Sequence, residues 1–270
     1  MRLGRLPLAF STIVALSVLP VAAAPCGNDA SGFDAWVADF RVDAAQMGIS
    51  ESTIAAALNN VSYSDETMRR DRNQSVFRQS FEEFSGRMIP PRLGQARSRI
   101  QQYGDTLARI EQQFGVPKEV VMAIWGLESD FGAVRGNQSI LSSLATLAYD
   151  CRRGDFFTGQ LVDALNIIER GDLSPDQMRG GYHGELGQTQ FLPSSYVAFA
   201  VDYDGDGHAN LLSSEADVLA STANYLRGYG WSSGQDWSPG TGNFNVIQQW
   251  NKSEVYSRTV AEFARQLAGG

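Results

Sequence analysis

The chain contains little cysteine, little histidine and no surplus of positive charge. Among its 270 residues are 2 cysteines and 2 histidines, and 22 lysines and arginines stand against 30 aspartates and glutamates, a formal net charge of −8. This balance argues against nucleic acid as a partner, because phosphate binding requires clustered lysine and arginine. Neither His183 nor His208 has a cysteine close to it in the sequence, so a cysteine nucleophile is not indicated.

Long apolar runs are also lacking, except at the start of the chain. Residues 1–24 begin with two arginines, continue through an apolar stretch and end in three alanines, an order typical of a secretory signal peptide. We expect cleavage after Ala23 and a periplasmic location. No later segment has the roughly 20 apolar residues of a membrane helix, and Pro25 before Cys26 argues against a lipid anchor. We expect a soluble monomer.

The two cysteines allow one disulfide. Exported proteins meet an oxidising compartment, where an even number of cysteines predicts pairing. A Cys26–Cys151 bond would tie the mature N-terminus to a segment in the middle of the chain. The alternative is two unpaired thiols.

Alternation typical of strands is weak throughout, so the predicted fold class is mainly α. A glycine-rich loop is predicted at 180–187 and a surface loop at 229–245. Apolar spacing and capping residues predict helices at 33–40, 51–58, 77–84, 93–114, 139–148, 156–168 and 217–226, a helix within 116–132 that has Pro117 in its first turn, a helix opening at Pro193, and one or two helices within 246–267.

One carboxylate, Glu128, lies on the apolar face of the helix predicted after Pro117. It follows Val121 by seven residues and Ile124 by four, which places all three on one side of a helix. Burial there would raise the pKa of Glu128, as a general acid requires near neutral pH. The alternative is a glutamate at the end of a helix that turns out to water.

A second cluster of acidic residues lies within 202–210, which reads DYDGDGHAN. Carboxylates at positions 1, 3 and 5 and a glycine at position 6 match the first half of an EF-hand calcium loop. Position 12 is Ser213 rather than glutamate, so Glu215 or Asp217 would have to close a longer loop. We expect a structural Ca²⁺ site, because adjacent carboxylates repel one another without a counterion. The alternative is a solvated turn.

Several motifs together resemble the B-type lytic murein transglycosylases, which have a lysozyme-like fold. They are ESDFG at 128–132, GELGQTQFLPSSY at 184–196, the acidic string at 201–210 and ANYLRGYGW at 223–231. The resemblance runs from about Phe33 to the C-terminus. After the signal peptide expected at 1–23, it implies an additional N-terminal helical lobe at 24–113 and a lysozyme-like catalytic core at 114–270 that includes an EF-hand-like loop at 202–217.

The resemblance also implies roles for individual residues. Glu128 would be the sole catalytic acid and base, and no organic cofactor is expected. The residues expected to line the saccharide cleft are Gln190, Tyr225, Asn251, Ser253 and Tyr256. The residues expected to hold calcium are Asp202, Asp204, Asp206, His208 through its backbone carbonyl, and Asp217.

The implied substrate is the glycan strand of peptidoglycan, cut between N-acetylmuramic acid and N-acetylglucosamine with formation of 1,6-anhydromuramyl ends. Two departures from the family concern the cleft. Gly181 stands where some relatives carry serine, and only residues 232–249 intervene where relatives carry a longer insertion. Two alternatives follow: a muramidase that hydrolyses the same bond, and a peptidoglycan-binding protein without turnover.

Overall fold

The regular structure of this chain is almost entirely helical. The structure is a computed structural model, and it describes residues 25–73 and 79–269. The predicted signal peptide, its cleavage site at Ala23 and the helical position Phe77 lie outside the described residues. Within these two ranges, no helix is both long enough and apolar enough to cross a membrane.

The described ranges contain thirteen α-helices and one two-stranded antiparallel sheet, which confirms the predicted fold class. The sheet pairs β1 (Gln138–Ser139) with β2 (Arg179–Gly180), with Gln138 opposite Gly180. The helices are α1 (Phe33–Gln46), α2 (Glu51–Leu58), α3 (Asp65–Arg72), α4 (Phe81–Met88), α5 (Pro90–Gln102), α6 (Gly104–Phe114), α7 (Lys118–Ser129), α8 (Ile140–Tyr149), α9 (Gly154–Glu169), α10 (Pro193–Phe199), α11 (Glu215–Gly228), α12 (Gly242–Trp250) and α13 (Glu254–Ala268).

Serine caps set the starts of three consecutive helices. The side chains of Ser50, Ser64 and Ser80 each accept a hydrogen bond from the backbone N–H three residues later, at the beginning of α2, α3 and α4. Each cap satisfies an N–H group that the helix itself leaves without a partner. At α4 the side chain of Glu83 also accepts from the backbone of Ser80, which completes a capping box.

The structure corrects three predicted boundaries. Pro90 is the first residue of α5, where its missing N–H costs nothing. The helix predicted over 93–114 is in fact two helices, because the chain leaves helical geometry at Tyr103. The loop predicted at 229–245 ends early, since the Thr241 side chain accepts from the backbone of Phe244 and starts α12.

Helix α7 lies at the centre of the core. All of its residues from Val120 to Leu127 are buried, and it packs against α5, α6, α11 and α13. Gly126 permits the closest of these contacts, because an added Cβ would lie 2.8 Å from the Phe131 ring and 3.2 Å from the Phe263 ring. An apolar helix enclosed in this way holds any side chain at its end in a defined position.

Cys26 and Cys151 form a disulfide, with their Cα atoms 5.0 Å apart. This confirms the predicted pairing. Beside the bond, the backbone N–H of Gly27 donates to the carbonyl of Tyr149 at 3.0 Å. The first described residues are therefore fixed to the C-terminal end of α8.

Candidate active site

Glu128 is the penultimate residue of α7, and part of its surface remains exposed while its neighbours on both sides are buried. Its carboxylate oxygen Oε1 accepts two hydrogen bonds from the C-terminal part of the chain. Trp250 donates from its indole Nε1 at 2.8 Å, and Tyr256 donates from its hydroxyl at 2.5 Å. The carboxyl group is therefore held against the protein by two side chains rather than turned out to water.

The surroundings of Glu128 favour its protonated form. Burial raises its pKa to about 7, although the hydrogen bonds from Tyr256 and Trp250 act in the opposite direction. The negative charge of Glu185 contributes to this raised pKa, less than burial does. A carboxyl group with a pKa near 7 is partly protonated at neutral pH, so it can donate a proton in one step and accept one in the next.

The chain turns sharply after Glu128. Asp130, Phe131 and Gly132 have φ angles of 50°, 57° and 84°, all in the left-handed region. Asp130 forms an ion pair with Arg92 at 2.7 Å. At Gly132 an added Cβ would lie 2.2 Å from the side chain of Gln188, so glycine is needed there for space as well as for backbone conformation.

Gln188 joins the end of α7 to the segment that follows the glycine-rich loop. Its side-chain oxygen accepts from Trp125 Nε1 at 2.9 Å, and its backbone carbonyl accepts from the hydroxyl of Ser129. Its side-chain amide donates to the carbonyl of Leu212 at 3.2 Å. Sequence reasoning singled out Gln190 and missed Gln188, because the contacts of Gln188 are formed with distant parts of the chain.

Trp250 is a second residue that sequence reasoning missed. It ends α12 and packs among aromatic rings, with ring centroids 4.7 Å from Tyr225 and 5.3 Å from Phe191. The one signal in the sequence that could have indicated Trp250 is its position directly before Asn251, a predicted cleft residue. We define the aromatic cluster as Phe191, Phe199, Tyr225, Tyr229 and Trp250, whose neighbouring rings lie between 4.6 and 5.8 Å apart.

Of the predicted cleft residues, the structure brings Tyr256 to Glu128 and Tyr225 to Trp250. The hydroxyl of Tyr225 donates to the carbonyl of Gln249 at 2.8 Å, beside Trp250. Burial raises the pKa of Tyr225, so the phenol remains protonated.

Asn251 and Ser253 form the turn that leads to Tyr256. The side-chain oxygen of Asn251 accepts from the backbone of Ser253 at 2.9 Å, and the hydroxyl of Ser253 accepts from the backbone of Tyr256 at 3.4 Å. Gln190, at a φ of 53°, donates its side-chain amide to the carbonyl of Gly187 at 2.9 Å. The side-chain amide of Gln190 also donates to the carbonyl of Arg135 at 3.3 Å. Contact of these three side chains with a saccharide remains a prediction.

The acidic loop, residues 202–217, brings three of the predicted metal ligands together. One carboxylate oxygen from each of Asp202, Asp204 and Asp217 lies within 4.8 Å of the others. Asp217 is fully buried and accepts from the backbone N–H groups of Tyr203, Asp204 and Asn210. It comes after the usual twelfth position and closes the loop from the first turn of α11.

The donor set of the acidic loop fits a hard cation. Carboxylate oxygens are the ligands that calcium prefers, and burial together with the charge of Asp204 raises the pKa of Asp217 despite its three backbone hydrogen bonds. Asp206 and His208 lie outside the group of three. The backbone N–H of His208 donates to Asp206 at 2.9 Å.

Cavity size does not mark the position of Glu128. One cavity of about 500 Å³ lies beside the disulfide and includes Trp36 and Arg153 in its lining, and another of about 290 Å³ lies beside Trp237. Neither lining includes Glu128. What distinguishes Glu128 is its raised pKa and the two hydrogen bonds that its Oε1 accepts.

The fold and the site together define a helical protein in which one desolvated carboxylic acid ends the central helix. The family profile described as the transglycosylase SLT domain matches residues 32–241, and the chain belongs to this family. Crystal structures of lytic transglycosylases share the fold. The predicted family is therefore confirmed.

Three known proteins show how far the similarity extends. Membrane-bound lytic murein transglycosylase B of Escherichia coli strain K12 is 41% identical over 134 residues, which are 49% of this chain and 37% of that relative. The aligned part thus spans little more than a third of that relative's length. SltB3 from Pseudomonas aeruginosa, crystallised with NAG-NAM-pentapeptide, is 30% identical with a TM-score of 0.84, and the match covers 89% of this chain and 80% of that one. Escherichia coli Slt35 in complex with calcium is 25% identical with a TM-score of 0.77 over 86% and 92% of the two chains.

Proposed function

We propose that this chain is a peptidoglycan lytic transglycosylase that cleaves the β-1,4 bond between N-acetylmuramic acid and N-acetylglucosamine and leaves 1,6-anhydromuramyl ends. The observation that carries the proposal is the carboxyl group of Glu128, which has a pKa of about 7 and lies at the surface end of a buried helix. The similarity to SltB3, crystallised with a peptidoglycan fragment, supports the choice of substrate.

In the first step, protonated Glu128 donates its proton to the glycosidic oxygen. The bond from the muramyl C1 to that oxygen breaks, and the N-acetylglucosamine fragment leaves with a new hydroxyl group. The acetamido group of the substrate stabilises the positive charge that develops at C1. Burial of Glu128 serves this step because the raised pKa keeps a larger fraction of the carboxyl group protonated, and able to donate, at neutral pH.

In the second step, the carboxylate of Glu128 accepts the proton of the muramyl 6-hydroxyl. The 6-oxygen forms a bond to C1 of the same sugar and closes the anhydro ring. Glu128 is protonated again, so acid and base are the same residue and no water is consumed. Tyr256 and Trp250 hold the carboxyl group in place through both steps, since both donate to Oε1.

The decisive experiment is digestion of purified sacculi with the wild type and Glu128→Gln, followed by mass spectrometry of the soluble products. We expect anhydro products, one water lighter than hydrolysed ones, from the wild type. The variant should lose activity by on the order of 10⁴-fold, because Glu128 acts in both steps. Glu119→Gln on the same helix is the control, since Glu119 pairs with Lys118 at 3.1 Å. Undiminished release of anhydro ends by Glu128→Gln would refute the assignment.

Hydrolysis by the same site is the second candidate, and one observation favours it. Two carboxyl groups are the usual requirement for glycosidic hydrolysis, and Glu185 is a second carboxylate whose charge reaches Glu128. A hydrolase would release reducing ends without the loss of water. The same mass analysis therefore separates the two reactions. Binding to sacculi without any soluble product would instead support a peptidoglycan-binding protein.

The acidic loop is proposed as a structural calcium site. Asp202, Asp204 and Asp217 would hold the ion, which would supply neutralising charge and join the start of α11 to the preceding loop. Asp206 would have to move toward the group of three in order to contribute. The expected contribution of the His208 carbonyl remains part of the proposal. The calcium complex of Slt35 supports the choice of ion.

The proposed substrate places the protein in the periplasm, after removal of the signal peptide predicted at 1–23. The disulfide between Cys26 and Cys151 supports this location, because such bonds persist in oxidising compartments. We also propose that residues 24–113 form a helical lobe beside a catalytic core at 114–270. Measurement of the mature N-terminus by mass spectrometry would test the cleavage site.

A further inference from the structure

The glycine-rich loop, residues 180–187, holds the carboxylate of Glu185 against the backbone of Gly181. The backbone N–H of His183 donates to Glu185 Oε2 at 2.9 Å, and that of Gly181 donates to the Glu185 carbonyl at 2.8 Å. A Cβ added at Gly181 would lie 2.2 Å from Oε2 of Glu185. Gly181 thus leaves the space that the Glu185 carboxylate occupies.

His183 connects Glu185 to a group of charges on the N-terminal helices. Its Nδ1 lies 3.4 Å from Glu185 Oε1, and its Nε2 lies 3.6 Å from Oδ1 of Asp71 on α3. Asp71 is buried and forms ion pairs with Arg152 and Arg153. The imidazole therefore lies between two carboxylates, one on its own loop and one on α3.

The same contacts keep Glu185 ionised. Burial by itself would raise its pKa, but the hydrogen bond and the charge of His183, together with backbone N–H donors, outweigh burial and hold the pKa below its usual range. The side chain is 29% exposed, so solvent screens part of its charge.

The loop that carries Glu185 is fixed to the surroundings of Glu128 by three successive contacts. Leu186 and Phe191 exchange backbone hydrogen bonds of 2.8 and 2.9 Å. The ring of Phe191 packs against Trp250 at 5.3 Å, and Trp250 donates to Glu128. The repulsion between the two carboxylates raises the pKa of Glu128. Glu128 accepts hydrogen bonds from Trp250 and Tyr256 on Oε1 and is repelled by the negative charge of Glu185. Glu185 instead has the imidazole of His183 beside it.

We propose that Glu185 is a positioning residue for the catalytic acid: held by His183 beside Gly181, its negative charge keeps Glu128 in the protonated form that the first step requires. This inference rests on the proposed function, in which Glu128 donates a proton. The charged groups around Glu185 are His183 on its own loop and Glu128 on α7, with Asp71, Arg152 and Arg153 behind the imidazole.

The test is the pH dependence of kcat/KM on purified sacculi for the wild type, Glu185→Gln and Glu185→Asp. Glutamine keeps the shape and can still accept from the His183 N–H, so it removes the charge alone. We expect the basic limb of the Glu185→Gln profile to move to lower pH by roughly half a unit, since a like charge disfavours ionisation of its neighbour. Activity should fall about threefold above about pH 8 and stay unchanged below about pH 5.5, while Glu185→Asp keeps the wild-type limb.

Glu169→Gln is the matched control. Glu169 also accepts hydrogen bonds, from Ser50. Its charge does not contribute to the shifted pKa of Glu128. This variant should leave the profile unchanged. An unmoved basic limb in Glu185→Gln would overturn the inference and leave the proposed function intact. An equal loss at every pH, or a loss of hydrolysed products alone, would also overturn it, because Glu185 would then be structural or a base.

A direct titration separates this inference from the proposed function. Carboxyl ¹³C NMR, with the Glu128 signal assigned from the Glu128→Gln spectrum, reports the pKa of Glu128 whether or not the protein turns over substrate. A lower pKa in folded Glu185→Gln supports the inference, and an unchanged pKa refutes it. If that variant does not fold, Glu185→Ala is titrated in its place with the same two outcomes.

Discussion

The carboxyl groups of Glu128 and Asp217 are both enclosed by protein, and burial raises the pKa of each. Their neighbours differ. Glu128 follows an apolar helix and meets two side-chain donors on one oxygen, whereas Asp217 accepts three backbone N–H groups and lies beside two further carboxylates. The comparison shows two ways to accommodate a buried acid. One group is stabilised by taking up a proton, and the other by backbone N–H donors within the group of carboxylates proposed to hold a cation.

The largest effect is expected at Asp217. Replacement by alanine leaves the N–H groups of Tyr203, Asp204 and Asn210 without their acceptor, and each buried unsatisfied donor costs free energy. We expect Asp217→Ala to lower the free energy of unfolding by about 3 to 5 kcal/mol in a chelator. Urea unfolding measures this loss. Asp206→Asn, at an exposed position of the same loop, is the control, and a loss of similar size there would contradict the assignment.

The opposite sign is expected at Glu128. The unfolded pKa of about 4.5 lies below the folded value of about 7, so the folded state binds the proton more tightly. Stability is therefore unaffected below about pH 4.5, falls as the pH rises, and is lowest above about pH 7. At 1.36 kcal/mol per unit, Glu128→Gln should raise the free energy of unfolding by about 3 kcal/mol at pH 8 and by little at pH 4.5. Urea unfolding at both pH values tests this, and a gain that does not depend on pH would count against it.

Calcium should stabilise the protein through the acidic loop alone. At a free calcium concentration of about 100 times Kd, a site present only in the folded state adds about 3 kcal/mol. Thermal unfolding in calcium and in chelator measures the difference. Asp204→Asn should abolish it, while Glu128→Gln should leave it unchanged, because Glu128 belongs to the other kind of site. If calcium stabilised Asp204→Asn and Glu128→Gln by the same amount, the proposed difference between a cation site and a proton-binding site would be wrong.

The smallest effect is expected at Tyr256. Its hydrogen bond to Oε1 lowers the pKa of Glu128, so Tyr256→Phe should raise that pKa by about one unit, within the range for hydrogen bonds to charged groups. The basic limb of the activity profile should move to higher pH, opposite to the shift expected for Glu185→Gln. Tyr229→Phe, on an exposed ring of the aromatic cluster, is the control and should leave the limb in place.

Local patterns were sufficient for much of the fold. Capping residues and apolar spacing located α2, α8 and α9 to within two residues at each end, and the start of α1, because helix formation there depends on neighbours along the chain. The same reasoning failed at α12. Its start lies in a stretch of glycine, serine and proline, and the cap at Thr241 was hidden among residues typical of loops.

The residues of the candidate site also divide into those that local sequence patterns predicted and those that only the structure showed. The apolar face of α7 predicted where Glu128 would lie, and the spacing of aspartates predicted the acidic loop. Trp250 and Gln188 carried no such signal. Trp250 meets Glu128 across 122 residues of sequence, and Gln188 meets Trp125 across 63, so neither contact has a periodicity that a linear pattern can show.

The sequence by itself determined which acid ends the central helix, which carboxylates share one loop and which two cysteines were available to pair. Each of these depends on residues within a few turns of one another or on a count. Only the tertiary structure decided that Tyr256 and Trp250 donate to one oxygen of Glu128, and that Gly181 makes room for Glu185. The contacts of Glu128 arise when α13 packs against α7 and the end of α12 reaches Glu128 through Trp250. Desolvation, which raises the pKa of Glu128, exists only after that packing.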